Sequence, residues 1–384
     1  MKKVSIVIPA LNEEGVVGKT VRSIDVVNLK KLGLEVEVIV VDNASEDGTA
    51  EEARKAGAKV VYEPYKGYGS AYLRGLKEAT GDIIVIGDAD GTYPLDKIHE
   101  FIQPILRGEA DFVIGSRLRG HIHDGAMPWL HRYIGNPLLT FLGNLFFKTK
   151  VSDFHCGMRA FTREALKKMN LKTTGMEFAT EMILEAGKKK LRIKEIPIEY
   201  RKRAGGKAKL KSFHDGWRHL RFMLLHAPNY LFLVPGLFFF LLGIALMLLL
   251  LYTPLKIGGI SLEMHPMVLG SLLTLSGFQV LLYSIIAKDY GRTTGLIEKS
   301  RTIEILRKHF SLENGILLGS FIALTGFFLN AYILYIWISK GMGSLSTDTL
   351  KLAIFAATIF IIGIEIIFSS FLLSIFSIER IYKG

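Results

Sequence analysis

The 384 residues include one cysteine, Cys156, so no disulfide can form within the chain and no multi-cysteine zinc or iron–sulfur centre is available. Glutamine is nearly as scarce, found only at Gln103 and Gln279, while lysine and glutamate abound, a balance common in proteins that work hot. Acidic side chains are outnumbered: 48 Lys and Arg against 36 Asp and Glu leave a net charge of +12. That excess does not point to nucleic acid. The cations crowd into residues 188–221, directly ahead of a strongly apolar region, where anionic lipid or a lipid phosphate is the nearer partner. A dinucleotide fingerprint is also missing. Lys66-Gly67-Tyr68-Gly69-Ser70-Ala71 opens a helix, but it follows the third strand and lacks the third glycine, which argues against a nicotinamide cofactor. The apolar run at 4–9 is too short for a secretion signal and flows directly into a folded-domain pattern, so no signal peptide is expected before Val4.

What the chain has in excess is apolar side chains, 49% of the total, distributed in a step. Up to about residue 226, strand and helix patterns alternate with ordinary charge; beyond it Leu, Phe and Ile dominate. Four runs, at about 230–252, 266–287, 315–338 and 352–376, are long enough to cross about 30 Å of hydrocarbon. An even number of spans puts both ends of the chain on one side. Lys288, Arg292, Lys299, Arg301, Arg307 and Lys308 lie between the second and third runs, against one lysine in 253–265 and two in 339–351. This bias predicts a multi-pass protein of the cell membrane with its N-terminal domain and both termini in the cytoplasm.

The expected organisation is a cytoplasmic domain over 1–211, a juxtamembrane interfacial helix over 212–228, and a transmembrane domain over 229–384. The interfacial helix would gather Phe213, Trp217, Leu220 and Leu224 on one face, and a second such helix is expected near 296–310. Glu365 falls near the middle of the fourth run, where an ionisable group needs a partner. Asn330 and Gln279 are the expected hydrogen-bonding neighbours, making it interhelical glue.

In the N-terminal half, strands are expected over 4–9, 35–42, 58–62, 82–88 and 112–115, with helical spacing between them. The class is therefore α/β, a mainly parallel Rossmann-like sheet covered by helices on both faces. The strands end in Pro9-Ala10-Leu11-Asn12-Glu13, Asp42-Asn43-Ala44-Ser45 and Asp88-Ala89-Asp90, so three polar clusters converge on the sheet edge where such folds bind ligands. Asp88 and Asp90, one residue apart in extended chain, lie on one side and suit a hard divalent cation, Mg2+ or Mn2+.

The ordered set 4–14, Val40-Val41-Asp42-Asn43-Ala44-Ser45, Gly87-Asp88-Ala89-Asp90-Gly91-Thr92-Tyr93-Pro94 and Gly115-Ser116-Arg117 resembles family-two glycosyltransferases, and within them the dolichol-phosphate mannose and glucose synthases. The resemblance covers nearly all of residues 1–226. It implies a glycosyltransferase A fold that binds a nucleotide-sugar and a divalent metal and transfers the sugar with inversion. Pro9, Leu11 and Glu13 match the motif holding the nucleoside, Asp42 the carboxylate that reads the base, and Asp88, Ala89 and Asp90 the metal-diphosphate motif, with Leu11 and Thr92 where members often have Tyr and Gln. The stretch 203–210 is similar to the family's basic turn, with Ala208 in place of serine; Ser152-Asp153-Phe154-His155-Cys156-Gly157 resembles its Asp-x-x-Ser-Gly region, making Asp153 a candidate for orienting the donor sugar or a loop.

Breaking a sugar–diphosphate bond requires neutralising charge on the leaving group, the task expected of a metal on Asp90, with Asp88 in support and Arg117 nearby. A phosphate monoester, with its second pKa near about 6, is already mostly dianionic and needs no general base. It needs cations, which Arg132, Arg201, Arg203, Lys207 and Lys209 supply, and Arg132, Arg203, Lys207 and Lys209 are the expected acceptor-phosphate ligands. Glu177 and Glu181, one helical turn apart, are candidates for sugar or loop orientation. His121, His123 and His131 lie in a loop-rich stretch without a second ligand cluster, as solvated histidines do.

The expected activity is transfer of one hexose from a nucleotide-sugar to a polyprenyl or dolichyl monophosphate. UDP-glucose or UDP-N-acetylglucosamine is favoured by the glucose-type run 91–94, with GDP-mannose open. The expected partners are donor, lipid acceptor and membrane, without nucleic acid; homo-oligomerisation is left open. A processive polysaccharide synthase is the enzyme alternative, although its Gln-x-x-Arg-Trp motif is absent. A catalytically silent lipid-binding or flippase-like module is the other.

Overall fold

The computed structural model describes residues 2–205, 212–253, 255–257, 260–293 and 311–378. It contains two compact units, Met1–Met223 and Leu224–Gly384. The expected interfacial helix near 296–310, and Lys207 and Lys209, lie outside the described residues.

The first unit is built on seven strands: β1 (Lys2–Ala10), β2 (Leu34–Asp42), β3 (Lys59–Tyr62), β4 (Ile83–Ile86), β5 (Phe112–Ile122), β6 (Arg159–Thr162) and β7 (Ile193–Tyr200). Their order across the sheet is β3-β2-β1-β4-β6-β5-β7. All pairings are parallel except those of β6, which runs against both β4 and β5. The inner strands bury Ile6, Val7, Ile8, Ile39, Val40, Val41, Ile84 and Val85 completely, as near-continuous apolar runs do when helices cover both sheet faces.

The helices of this unit are α1 (Val17–Arg22), α2 (Val26–Lys31), α3 (Thr49–Lys55), α4 (Tyr68–Glu78), α5 (Ile98–Leu106), α6 (Asn136–Phe147), α7 (Arg163–Lys168) and α8 (Phe178–Lys188), followed by α9 (Ser212–His226). Strands β6 and β7 are additions to the five read from the sequence. Because β6 is antiparallel, Arg159 at its start pairs with Ile86 at the end of β4, and the loop leading into β6 arrives at the same sheet edge as the carboxylates. Strand β5 continues past Ser116 through a register shift, and Arg117 sits in that irregularity, where a bulge re-aims side chains.

The second unit has four helices long and apolar enough to cross a membrane, Asn229–Tyr252, Met264–Arg292, Leu312–Ser339 and Thr347–Ile375, within α10 (Val234–Tyr252, after a π-helical turn), α11 (Met264–Thr293), α12 (Leu312–Ser339) and α13 (Thr347–Ile378). Helices α10 and α11 pack closely, as do α12 and α13, through glycines. A Cβ at Gly277 would fall 2.2 Å from the Phe240 nitrogen, and one at Gly363 would fall 2.3 Å from that of Ala323. Between α11 and α13, Ser271 and Thr358 share a 2.7 Å hydrogen bond, and Lys351 pairs with Glu263 at 3.7 Å. The partners expected for Glu365 are engaged elsewhere: Asn330 donates to the Gly326 carbonyl on its own helix at 3.1 Å, and Gln279 donates to the Tyr283 hydroxyl at 3.0 Å. One Glu365 oxygen, Oε2, is buried without a hydrogen-bond partner among the described residues.

Candidate active site

The β1 and β2 ends are tied by backbone turns. Asn12 and Ala44 take left-handed φ values of 49° and 56°. Asn12 donates its N–H to Ser45 Oγ at 3.0 Å and accepts from the Glu46 N–H at 2.8 Å. Asp42, almost fully buried, accepts from the Ser45 N–H through Oδ1 at 3.0 Å. Pro9 ends the buried run of β1, and Leu11 follows at the sheet edge. Glu13 is buried, and its N–H is held by Thr49 Oγ1 at 2.8 Å.

At the end of β4, Ala89 is buried and its carbonyl accepts from Thr20 Oγ1 at 2.8 Å, which fixes the turn between the two aspartates. Asp88 Oδ1 accepts from the hydroxyls of Tyr72 and Tyr68 at 3.1 and 3.2 Å. Burial, reinforced by the neighbouring Asp90 charge, pushes the Asp88 carboxyl up to about 6 despite those two hydroxyls. Asp90 Oδ1 accepts from Thr92 Oγ1 at 2.6 Å and from the Thr92 N–H at 3.0 Å. Its other oxygen accepts from Arg203 Nη1 at 3.1 Å, and Arg203 Nη2 reaches Glu13 Oε1. One guanidinium therefore balances a carboxylate from the β1 edge and one from the β4 edge, and Arg203 stands with the nucleotide-motif residues.

Arg117 is held differently. Its Nε and Nη2 make a two-pronged pair with Asp153 at 2.7 and 2.8 Å, and its backbone N–H donates to the same carboxylate at 3.0 Å. Burial opposes the Arg117 charge, but Asp153 outweighs it and holds the guanidinium charged, over the Tyr200 ring at 5.3 Å. The Asp153 loop is anchored in turn by Glu195, which accepts from Ser152 and from the Asp153 N–H. Cys156 is buried beside it, its thiol pushed up to about 12, first by burial and then by the Asp153 charge.

The remaining candidates are dispersed. Arg132 lies in a π-helical turn before α6, its guanidinium 5.3 Å from the Tyr133 ring. Arg201 is occupied with Asp96 at 3.0 Å and with Glu199. Glu177 precedes α8 and pairs with Arg218 of α9 at 3.0 Å. Glu181 accepts from the N–H groups of Lys172 and Thr173 and from the Thr173 hydroxyl, which orients the 172–174 loop. That loop explains the glycines of 66–71: a Cβ at Gly69 would lie 2.1 Å from the Thr173 carbonyl oxygen. On α9, Phe213 and Trp217 are exposed, while His219 and Met223 turn inward.

Tyr68, Tyr72 and Tyr200 join the site without having been singled out. The only signal for the tyrosine pair was its i, i+4 spacing at the start of α4. Among the described residues no three His, Cys, Asp or Glu side chains form a metal cage. The available donors at the edge are two carboxylates and a hydroxyl, a hard oxygen set of the kind that holds Mg2+ or Mn2+ jointly with substrate phosphates.

A mainly parallel sheet with acidic turns and buried guanidinium groups at its carboxyl edge, joined to four membrane-spanning helices, defines a membrane-bound α/β enzyme for phosphorylated ligands. The chain belongs to glycosyltransferase family 2: residues 5–169 match the model "Glycosyl transferase family 2", and residues 285–377 match "Glycosyltransferase family 2 C-terminal transmembrane region". It is thus a multi-pass membrane glycosyltransferase with a glycosyltransferase A domain. It is 41% identical over 372 residues to the low-salt glycan biosynthesis hexosyltransferase Agl6 of Haloferax volcanii, covering 96% of this chain and 88% of that one. It is 34% identical to a dolichyl-phosphate hexose transferase of the same organism, over 55% of this chain and 88% of that one. The UDP-N-acetylglucosamine–dolichyl-phosphate N-acetylglucosaminyltransferase of Methanococcus voltae is 33% identical, over 52% and 85% respectively. Among solved structures, glucosyl-3-phosphoglycerate synthase from Mycobacterium tuberculosis in complex with Mn2+, UDP and phosphoglyceric acid is 26% identical with a TM-score of 0.47, covering 58% of this chain and 78% of that one.

Proposed function

We propose that this chain transfers a single hexose from a nucleotide-sugar to a polyprenyl or dolichyl monophosphate at the cytoplasmic face of the membrane, with inversion. The observation that carries this reading is the charge arrangement at the sheet edge: Asp90 and Glu13 joined by Arg203, Asp88 beside Asp90, and an Arg117 held charged by Asp153. It is supported by the names of the relatives from Haloferax volcanii and Methanococcus voltae, which include dolichyl-phosphate acceptors.

Asp42 and the β1 turn with Pro9, Leu11 and Glu13 bind the nucleoside, and Asp88 and Asp90 hold a divalent cation. Bound there, such an ion would supply positive charge to the departing diphosphate. Arg203 and Arg117 add positive charge along the same edge, effective because each is held in place by carboxylates and needs no reorganisation. The acceptor phosphate is its own nucleophile, so no carboxylate base is required. Arg132, with Lys207 and Lys209, guides it.

An exposed apolar surface beside Arg132 supports a lipid acceptor. Trp129, Tyr133, Leu138 and Phe141 are 65%, 56%, 53% and 61% exposed, too much contiguous apolar surface for a unit meeting only water. UDP-glucose or UDP-N-acetylglucosamine is the preferred donor.

The test is incubation of the purified protein with radiolabelled UDP-glucose, UDP-N-acetylglucosamine or GDP-mannose, polyprenyl phosphate and Mg2+, counting label that enters the organic phase. Label is expected from one donor, to be abolished by Asp90→Asn and by chelation of the metal. Transfer unaffected by Asp90→Asn would remove the metal role.

A further inference from the structure

The loop entering β6 sorts its side chains by parity. Phe154, Cys156, Met158 and Ala160 are all fully buried in the apolar core. Of the residues between them, Asp153 grips Arg117, and Gly157 lies against Asp88, where a Cβ would come within 3.1 Å of Asp88 Oδ2 and 3.2 Å of the Tyr68 hydroxyl. His155 lies between these two in the chain. Both of its ring nitrogens are buried, and neither has a hydrogen-bond partner among the described residues. The ring is braced edge-on by His219 of α9, at 4.5 Å and 68°, and His219 is itself tied to Thr180 Oγ1 at 2.8 Å. Burial, then the neighbouring His219, holds the His155 imidazole well below its ordinary pKa and therefore neutral.

A neutral imidazole offers one donor and one acceptor, and burying both without partners is costly. The missing partner must both accept and donate. A phosphate dianion only accepts, so it would leave the bare nitrogen unmatched; a pair of sugar hydroxyls satisfies both. Position agrees. The sheet order places β2, with Asp42, on one side of β4, and β6, with the His155 loop, on the other. A nucleotide-sugar whose base lies toward Asp42 and whose diphosphate lies at Asp88 and Asp90 extends its hexose toward that loop.

We propose that His155 recognises hydroxyl groups of the transferred hexose, with His219 positioning its ring. The proposal rests on the nucleotide-sugar reading of the site given above. The test is calorimetry on the full-length protein in detergent with Mg2+, using UDP, UDP-glucose, UDP-N-acetylglucosamine, GDP and GDP-mannose, on wild type, His155→Ala and His155→Asn. The expected result for His155→Ala is about a tenfold loss of affinity for the preferred nucleotide-sugar with affinity for the free nucleotide unchanged, on the order of one lost pair of hydrogen bonds. His155→Asn, which keeps a donor and an acceptor, recovers most of that loss. An unchanged ratio of nucleotide-sugar to free-nucleotide affinity in His155→Ala overturns the inference, as does a parallel fall of both affinities, which would make His155 a structural support of the loop. Failure of every nucleotide to bind the wild type overturns the site reading itself, and this inference with it.

Discussion

Arg203 touches Asp90 and Glu13 with different nitrogens of one guanidinium, so its planar fork joins the segments that follow β1 and β4. A lysine has one charged atom and cannot span both. Arg203→Lys is therefore expected to lose transfer nearly as fully as Arg203→Ala, each by about 100-fold or more, in the organic-phase assay. Equal activity of Arg203→Lys and wild type would show that only the charge matters. His219 invites a stability measurement. Burial lowers it from 6.5 to about 4, so the folded form resists a proton that the unfolded chain accepts. Its contribution is complete above pH about 6.5 and is lost as pH falls through about 4, on the order of 3 kcal/mol across that window. The melting temperature of His219→Gln should consequently fall less steeply than that of wild type between these pH values; parallel curves would exclude His219 as a source of the slope. At this scale the sequence was legible where chemistry is local: Asp88, Asp90 and Asp42 announce themselves by following apolar strands. The hydroxyls of Tyr68 and Tyr72 on Asp88, and Tyr200 beneath Arg117, depend on elements far apart in the chain, and no spacing encodes them.

Helix α6 and the turn before it present an unusual surface for a water-soluble unit. Leu138, Phe141 and Leu145 recur at helical spacing and are all exposed, with Lys148 and Lys150 just beyond the helix end. Such a face belongs against acyl chains. The double change Leu138→Glu, Phe141→Glu should cut transfer to a long polyprenyl phosphate by about tenfold or more while sparing a short, water-soluble isoprenyl phosphate. Equal loss on both acceptors would instead indicate damage to the Arg117 site. The sequence reading did not single out this helix as interfacial, because its apolar residues look like a buried face until the sheet is seen to leave them uncovered. The two unread strands have other causes. Strand β6 is four residues long, too short for a periodic signal, whereas the alternation Ile196, Ile198, Tyr200 of β7 is blurred by charged neighbours and Pro197.

For the molecule as a whole, we propose from the four candidate spans and the basic sequence between the second and third that both termini lie on the catalytic side. A cysteine at Ser344, between the third and fourth helices, should react with a membrane-impermeant maleimide in intact cells, whereas one at the exposed Lys59 of β3 should react only after permeabilisation. The reverse pattern would invert the topology and separate the site from cytoplasmic nucleotide-sugars. The compositional step near residue 226 was the most legible feature of the chain, because a bilayer imposes a length and a polarity that no soluble context imitates. Cys156 adds a practical consequence. Sealed in the core with its thiol protonated at any working pH, it is silent toward alkylating reagents while the fold holds, so the natural chain is already a blank background for spectroscopy. Any sulfhydryl introduced elsewhere becomes the sole address for a fluorophore or spin label, without removing a native residue first.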